Sequence, residues 1–273
     1  FPVFSSDSGL HTWDDKLTDY TSAKVSERAD RVHNLLEQVR AISTSNWSKD
    51  DRIDWMLFRS QLEGVEFNSR VLQPEKTDPQ TYVSQCSNGI FSLLKKEYDA
   101  PAKRARAATA RLKQMPAMLS QGERNLLKPV KLFAQLAIAS ARAIDPLFKD
   151  SLMTLASDLS PNERDELVKA RDAALSAIHG FADRLEGGLG SMVAFAPMGV
   201  EQYNYYLKHV LLLPLDAGQV EMLGRAELAR YRALESLLRD PSMADPNPAR
   251  SKDIPADQAA FLKAYESREE EMI

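Results

Sequence analysis

PMGVEQYNYYLKHVLLLPLDAGQVEMLGRAELARYR, residues 197–232, is the stretch that decides the fold class. It opens with a Gly-initiated helix dense in tyrosine: Tyr203, Tyr205 and Tyr206. A short leucine run follows and is ended by Pro214, since proline inside a helix removes a donor and clashes with the preceding turn. The stretch closes with a capped amphipathic helix, whose Val220, Leu223, Tyr231, Leu234 and Leu238 share one stripe at 100° per residue. Glu227 falls within that stripe. A carboxylate on an apolar face must find a partner or lose its charge. A buried pair with an arginine or a tyrosine hydroxyl is therefore expected.

The helical period extends outward from this block over nearly the whole chain. Ala29, Val32, Leu36 and Val39 predict a helix from about Ser26 to Ile42. Ser48, followed by Asp50 and Asp51, caps a helix that continues to about Leu72. Its apolar residues point all round, which predicts a central, buried helix. Ser60 and Gly64 on it would let another helix come close. Asp78-Pro79 begins a helix that Gly89 should end. Pro101 begins another, with a boundary at Pro116 and a further helix to about Asn125. Pro129 opens an apolar helix carrying Leu132, Phe133, Leu136, Ile138 and Ile144. Ser160-Pro161-Asn162-Glu163 is a capping box. The helix after it places Leu167, Ala174, Ile178, Phe181 and Leu185 on one stripe and ends at the glycines 187, 188 and 190. Met192–Ala196 is the one candidate strand.

The expectation is an all-α array of roughly nine to eleven helices with at most one short strand. The expected organisation is a helical domain over 1–240, a Pro-rich connector over 241–255 and a further helix begun at 256–273. That last helix is still running at Ile273 without cap or breaker. The chain is therefore expected to be the N-terminal portion of a longer protein.

Composition narrows the functional classes. The 273 residues are 44% hydrophobic with a net charge of −4, enough for a sizeable core and without the basic excess of a nucleic-acid binder. No apolar run reaches the roughly 20 residues of a membrane-spanning helix. One cysteine, Cys86, excludes an internal disulfide, and its surroundings make it an ordinary buried thiol. The compartment stays open between cytoplasm and periplasm, since a reducing cytosol and a cysteine-poor exported protein look alike here.

Motifs for catalysis are missing. Of the four histidines, His11, His33, His179 and His209, none has a second histidine at i+4, and there is no HExxH. No GxSxG and no phosphate-binding glycine loop is present. No catalytic residue, metal ligand or cofactor is assigned. The basic run from Lys95 to Lys113 lacks interleaved aromatics and reads as a solvated surface. Arg59, Glu63, Glu66 and Arg70 read as an i,i+4 salt-bridge ladder rather than as paired catalytic acids. His11 and Asp14, in GLHTWDD, could share one face as a substrate-binding pair or serve as a cap with a surface histidine. Tyr203 and Tyr205, beside Asn204 and His209, could form a peptide-binding wall or pack with satisfied hydroxyls.

Five segments carry a family resemblance: GLHTWDD, IDWMLFRSQLE, DPQTYVSQCSNGIFSLLKKEYD, RLKQMPAMLSQGERNL and the block from Gly199 to Arg232. In this order they resemble the bacterial family named domain of unknown function 885. That family is predominantly helical and similar to gluzincin-type metallopeptidases, with its His-Glu metal motif in a C-terminal half beyond position 273. The resemblance implies a zinc-dependent peptidase-like hydrolase, with zinc bound in the full-length protein. This chain would form its substrate-channel region. The implied partners are that catalytic half and a peptide-like substrate, with no nucleic acid and no membrane. The substrate contacts expected here are His11, Asp14, Tyr203 and Tyr205. A stand-alone, non-catalytic helical binding module remains the alternative.

Overall fold

The computed structural model describes residues 1–239. The described chain is all-α. Its helices are α1 (Pro2–Asp7), α2 (Ser22–Arg40), α3 (Lys49–Phe67), α4 (Pro74–Thr77), α5 (Gln80–Leu94), α6 (Pro101–Asn125), α7 (Lys131–Arg142), α8 (Pro161–Gly188), α9 (Val200–Tyr205) and α10 (Ala217–Leu238). Two compact units divide at Pro214–Leu215. The Pro-rich connector and the helix expected from 256 lie outside the described residues.

The first unit is built on α5, α6, α7 and α8, with α6 packed most extensively on α8. Leu112, Met115, Leu119, Phe148, Leu167, Ile178 and Phe181 form the centre of the core. Ser160 caps α8 as expected: its hydroxyl accepts from the Glu163 amide, and Glu163 accepts from the Ser160 amide. Ser48 caps α3 in the same manner through the Asp51 amide.

Several expectations at helix interiors are corrected. Gly89 does not end α5, which runs on to Leu94. A Cβ on Gly89 would meet Leu17 Cδ2 at 3.0 Å, so the glycine permits close packing rather than a left-handed cap. Pro116 is no boundary either. It sits inside α6, where Met115, Met118 and Leu119 are buried around it and offset the lost hydrogen bond. In α7 the buried face is alanine: Ala134, Ala137 and Ala141. Leu132 and Leu136 are exposed. Met192–Ala196 forms no strand; Val193 makes a single parallel bridge to Val130.

The α2–α3 hairpin has a separate, small core of Leu36, Val39 and Leu62, flanked by Val32 and Trp55. The expectation of a buried α3 fails: Met56, Leu57, Phe58 and Val65 are all exposed. A helix apolar all round is buried only where neighbours surround it, and α3 packs chiefly against α2 and the π-helical turn Tyr206–Val210. Gly64 admits that turn, since a Cβ there would stand 3.2 Å from Val210 Cγ1.

The second unit, from Leu215, is described as far as residue 239. Asp216 and Gln219 form a reciprocal capping box on α10. None of the helix's residues is buried. Glu227 pairs with Arg230 at 2.6 Å across one turn, so its partner is an arginine, as expected, but the pair is exposed rather than buried.

Candidate functional site

His11 and Asp14 meet at the mouth of a cleft of about 310 Å³. A 3-10 turn, His11–Trp13, places them three residues apart on one side. His11 Nδ1 lies 3.0 Å from Asp14 Oδ2. The Tyr98 hydroxyl donates to the same oxygen at 2.5 Å. The Ser6 hydroxyl donates to Oδ1, also at 2.5 Å. Asp14 thus receives two hydroxyls and faces the imidazole through Nδ1, which orients the ring. The imidazole is stacked on the Tyr98 ring at 3.4 Å between centroids, within 5° of parallel. Burial, and then the bond to Asp14, push the Tyr98 phenol well above its ordinary value.

Behind Asp14 stands Arg111, fully buried in α6. Its Nη2 donates to Ser6 Oγ at 2.6 Å. Its Nη1 donates to the Gly89 carbonyl and to Ser92 Oγ, and its Nε to the Lys16 carbonyl. The Ser6 hydroxyl thus relays between guanidinium and carboxylate. Burial lowers the Arg111 pKa, and the field of Asp14 opposes that shift. Arg104, also buried, donates to the carbonyls of Leu93, Lys96 and Asp99. The basic run is therefore not simply a solvated surface: two of its arginines organise the interior. Lys103, Arg106 and Lys113 do stay outside, paired with Asp99, Glu163 and Glu166.

Tyr205 belongs to a second polar network, on the hairpin. Its hydroxyl donates to Glu63 Oε2 at 2.6 Å. Glu63 is buried and also receives Arg40, whose Nη2 reaches both carboxylate oxygens at 2.7 and 2.8 Å. These bonds, the one to Glu63 first, hold the Arg40 guanidinium above its ordinary pKa. Burial and then Glu63 raise the Tyr205 phenol. His209 packs on the Tyr205 ring at 4.4 Å, and desolvation lowers its pKa. The expected ladder is half realised: Glu66 pairs with Arg70, but Glu63 takes Arg40 from α2 instead of Arg59. Arg59 lies over the Trp55 ring.

The four expected contact residues thus divide. His11 and Asp14 share the cleft, Tyr205 serves the Glu63 network, and half-buried Tyr203 joins neither through its hydroxyl. Ser6, Tyr98 and Arg111 were not legible as site residues, because each meets Asp14 or its relay from 8 to 105 residues away. Cys86 is buried, and burial alone raises its thiol pKa, as expected of an inert thiol. Among the described residues no three His, Cys, Asp or Glu gather as metal ligands. His11, His33 and His179 each meet one carboxylate, in three different places.

Helical architecture and a preorganised polar cleft define a class: an all-α domain that presents side chains from a rigid scaffold. More particularly, the chain belongs to the family described as bacterial protein of unknown function, DUF885, whose model matches residues 2–263. No curated protein matches it significantly. Among solved structures, a "putative lipoprotein of unknown function" from Shewanella oneidensis is similar in fold, with a TM-score of 0.74 at 19% sequence identity. The match covers 91% of this chain and 47% of that one, so this chain spans about half of that protein's length. Among the described residues no helix is long and apolar enough to cross a membrane.

Proposed function

We propose that this chain forms one wall of the substrate channel in a larger, zinc-dependent peptidase-like hydrolase. A second half of the same protein would carry the reacting groups. The observation that carries this reading is the coverage: nine-tenths of the chain matches less than half of a similar fold. The polar cleft supports it, because its groups are fixed before any ligand arrives. The peptidase class rests on the motif resemblance of the five segments.

In this reading His11 is the contact that reads substrate. Asp14 and Tyr98 hold its ring, and Nε2 is the ring nitrogen left to hydrogen-bond a peptide group. Asp14 and Tyr98 are positioning residues, since their polar atoms are already committed to each other. Tyr205 would present its ring rather than its hydroxyl, which Glu63 holds. Zinc would supply a metal-bound water for attack on an amide carbonyl. The described residues do not fit that ion, and no step is assigned to them through it.

The test compares this chain with the full-length gene product for zinc content and peptide hydrolysis. Turnover and stoichiometric zinc are expected in the full-length protein alone. In that protein, His11→Ala should raise KM about tenfold with little change in kcat, the mark of lost ground-state binding. Turnover or stoichiometric zinc in this chain by itself would sink the proposal.

A further inference from the structure

The tip of the α2–α3 hairpin holds a pocket of about 580 Å³ that shares no residue with either polar network. It is shallow and open, and half-buried Trp55 lines it. The indole Nε1 donates to the Val39 carbonyl at 3.1 Å, which pins the ring against α2. Trp47, 39% exposed, and Phe58, 51% exposed, supply the walls together with Ile42. Asp51 and Asp54, both exposed, line it as well. On α3 the positions 51, 54, 55 and 58 follow the i, i+3, i+4, i+7 rule and therefore share one face.

The two aspartates differ. Asp51 lies in the first turn and accepts from the Ser48 hydroxyl at 2.7 Å, so helix capping accounts for it. Asp54 lies beyond the first turn and has no hydrogen bond or ion pair among the described residues. An unpaired carboxylate beside two indoles and a phenyl ring suits a cation carried on an apolar stem. The ring faces attract positive charge, the carboxylate pairs with it, and the stem covers the exposed aromatic surface. An anion would meet both aspartates, and a neutral apolar guest would leave the Asp54 carboxylate without a partner. The same indole already attracts a guanidinium: Arg59 Cζ stands 4.7 Å from the Trp55 centroid.

We propose that this pocket receives an arginine side chain from a peptide ligand, its guanidinium stacked on the aromatic walls and paired with Asp54. A planar guanidinium can stack and donate to a carboxylate at once, which a compact ammonium cannot do equally well. The proposal is independent of the hydrolase reading, because it needs no second half of the protein.

The experiment uses the ¹⁵N-labelled chain and its tryptophan indole resonances, Trp13, Trp47 and Trp55, with Trp13 outside the pocket as internal reference. Probes are N-acetyl-arginine amide and its neutral isostere N-acetyl-citrulline amide. Saturable shifts at Trp47 and Trp55 but not at Trp13 are expected, about tenfold tighter for arginine. Asp54→Asn should weaken arginine binding by about the same factor and leave citrulline unaffected. Trp47→Ala, on the exposed loop, should abolish the saturable shift at Trp55. Equal affinity for the two probes, or no saturable shift with arginine, would overturn the proposal.

Discussion

The α5–α8 core and the α2–α3 hairpin use similar apolar periodicity with opposite results. In the core, even charged side chains are drawn inside, as Arg104 and Arg111 are, and they are satisfied there by carbonyls and hydroxyls. In the hairpin, large apolar side chains such as Leu57 and Phe58 stay in water, and the buried apolar centre is three residues. Periodicity states which face seeks burial; the number of neighbouring helices decides whether it is buried. The hairpin compensates with polar links between its helices. Glu63–Arg40 joins α3 to α2, while His33–Glu66 at 2.8 Å and Arg70–Asp30 at 3.2 Å repeat that join farther along.

The comparison can be broken most directly at Arg111. Arg111→Ala should destabilise the first unit by about 3–5 kcal/mol, since it takes a donor from Ser6, Ser92 and the Trp13, Lys16 and Gly89 carbonyls in a packed interior. Arg106→Ala, also in α6, removes only an exposed pair with Glu163 of α8 and should cost far less. Urea midpoints at constant slope measure both. Equal losses would mean that burial is not what separates the two arginines.

Glycines give the next effect. A Cβ at Gly122 in α6 would come within 2.7 Å of the Tyr82 ring. That ring cannot retreat: it is buried, its hydroxyl donates to the Glu75 carbonyl, and Asn125 donates to it in turn. Gly122→Ala should therefore cost about 1–3 kcal/mol. At Gly64 in the hairpin the added Cβ meets one methyl of Val210 at 3.2 Å. There the gain in helix propensity, about 1 kcal/mol, should nearly cancel the crowding. A thermal shift at Gly64→Ala as large as at Gly122→Ala would show the hairpin to be as tightly packed as the core.

The smallest effect is a pH dependence at the hairpin. Desolvation lowers the His209 pKa below the ordinary 6.5, with Glu63 opposing and Lys208, Arg59 and Arg40 assisting. The unfolded chain then binds this proton more readily than the folded one. Stability from this group is complete above about pH 6.5 and falls as the pH drops through it. His209→Phe, which keeps a ring on Tyr205, should flatten the fall in urea midpoint between neutral and mildly acidic pH. An unchanged slope would remove His209 as its source.

Much of the fold was legible because helix signals are local. Ser48, the Ser160–Glu163 box and Gly199, at φ 89°, all start helices where the sequence places them. Gly89 and Pro116 misled because each has a local meaning that a distant partner overrides. The site was legible only to the reach of one helical turn. His11–Asp14 is such a pair, whereas Tyr98–Asp14 spans 84 residues and Tyr205–Glu63 spans 142. Glu227 misled for a different reason: its stripe is real, but no described residue of α10 is buried.

Arg111 has one more consequence, for what keeps the cleft rigid. Its bonds to Lys16 and Ser6 close loops of 95 and 105 residues. Closing a loop of that length costs on the order of 4 kcal/mol in chain entropy, far more than a helix turn requires. The Arg111 bonds to Ser6 and Lys16 are therefore favourable only where the packing of α5 and α6 offsets that cost. The cleft around His11 thus borrows its rigidity from the α5–α6 core and owes nothing to the hairpin, whose own core is separate.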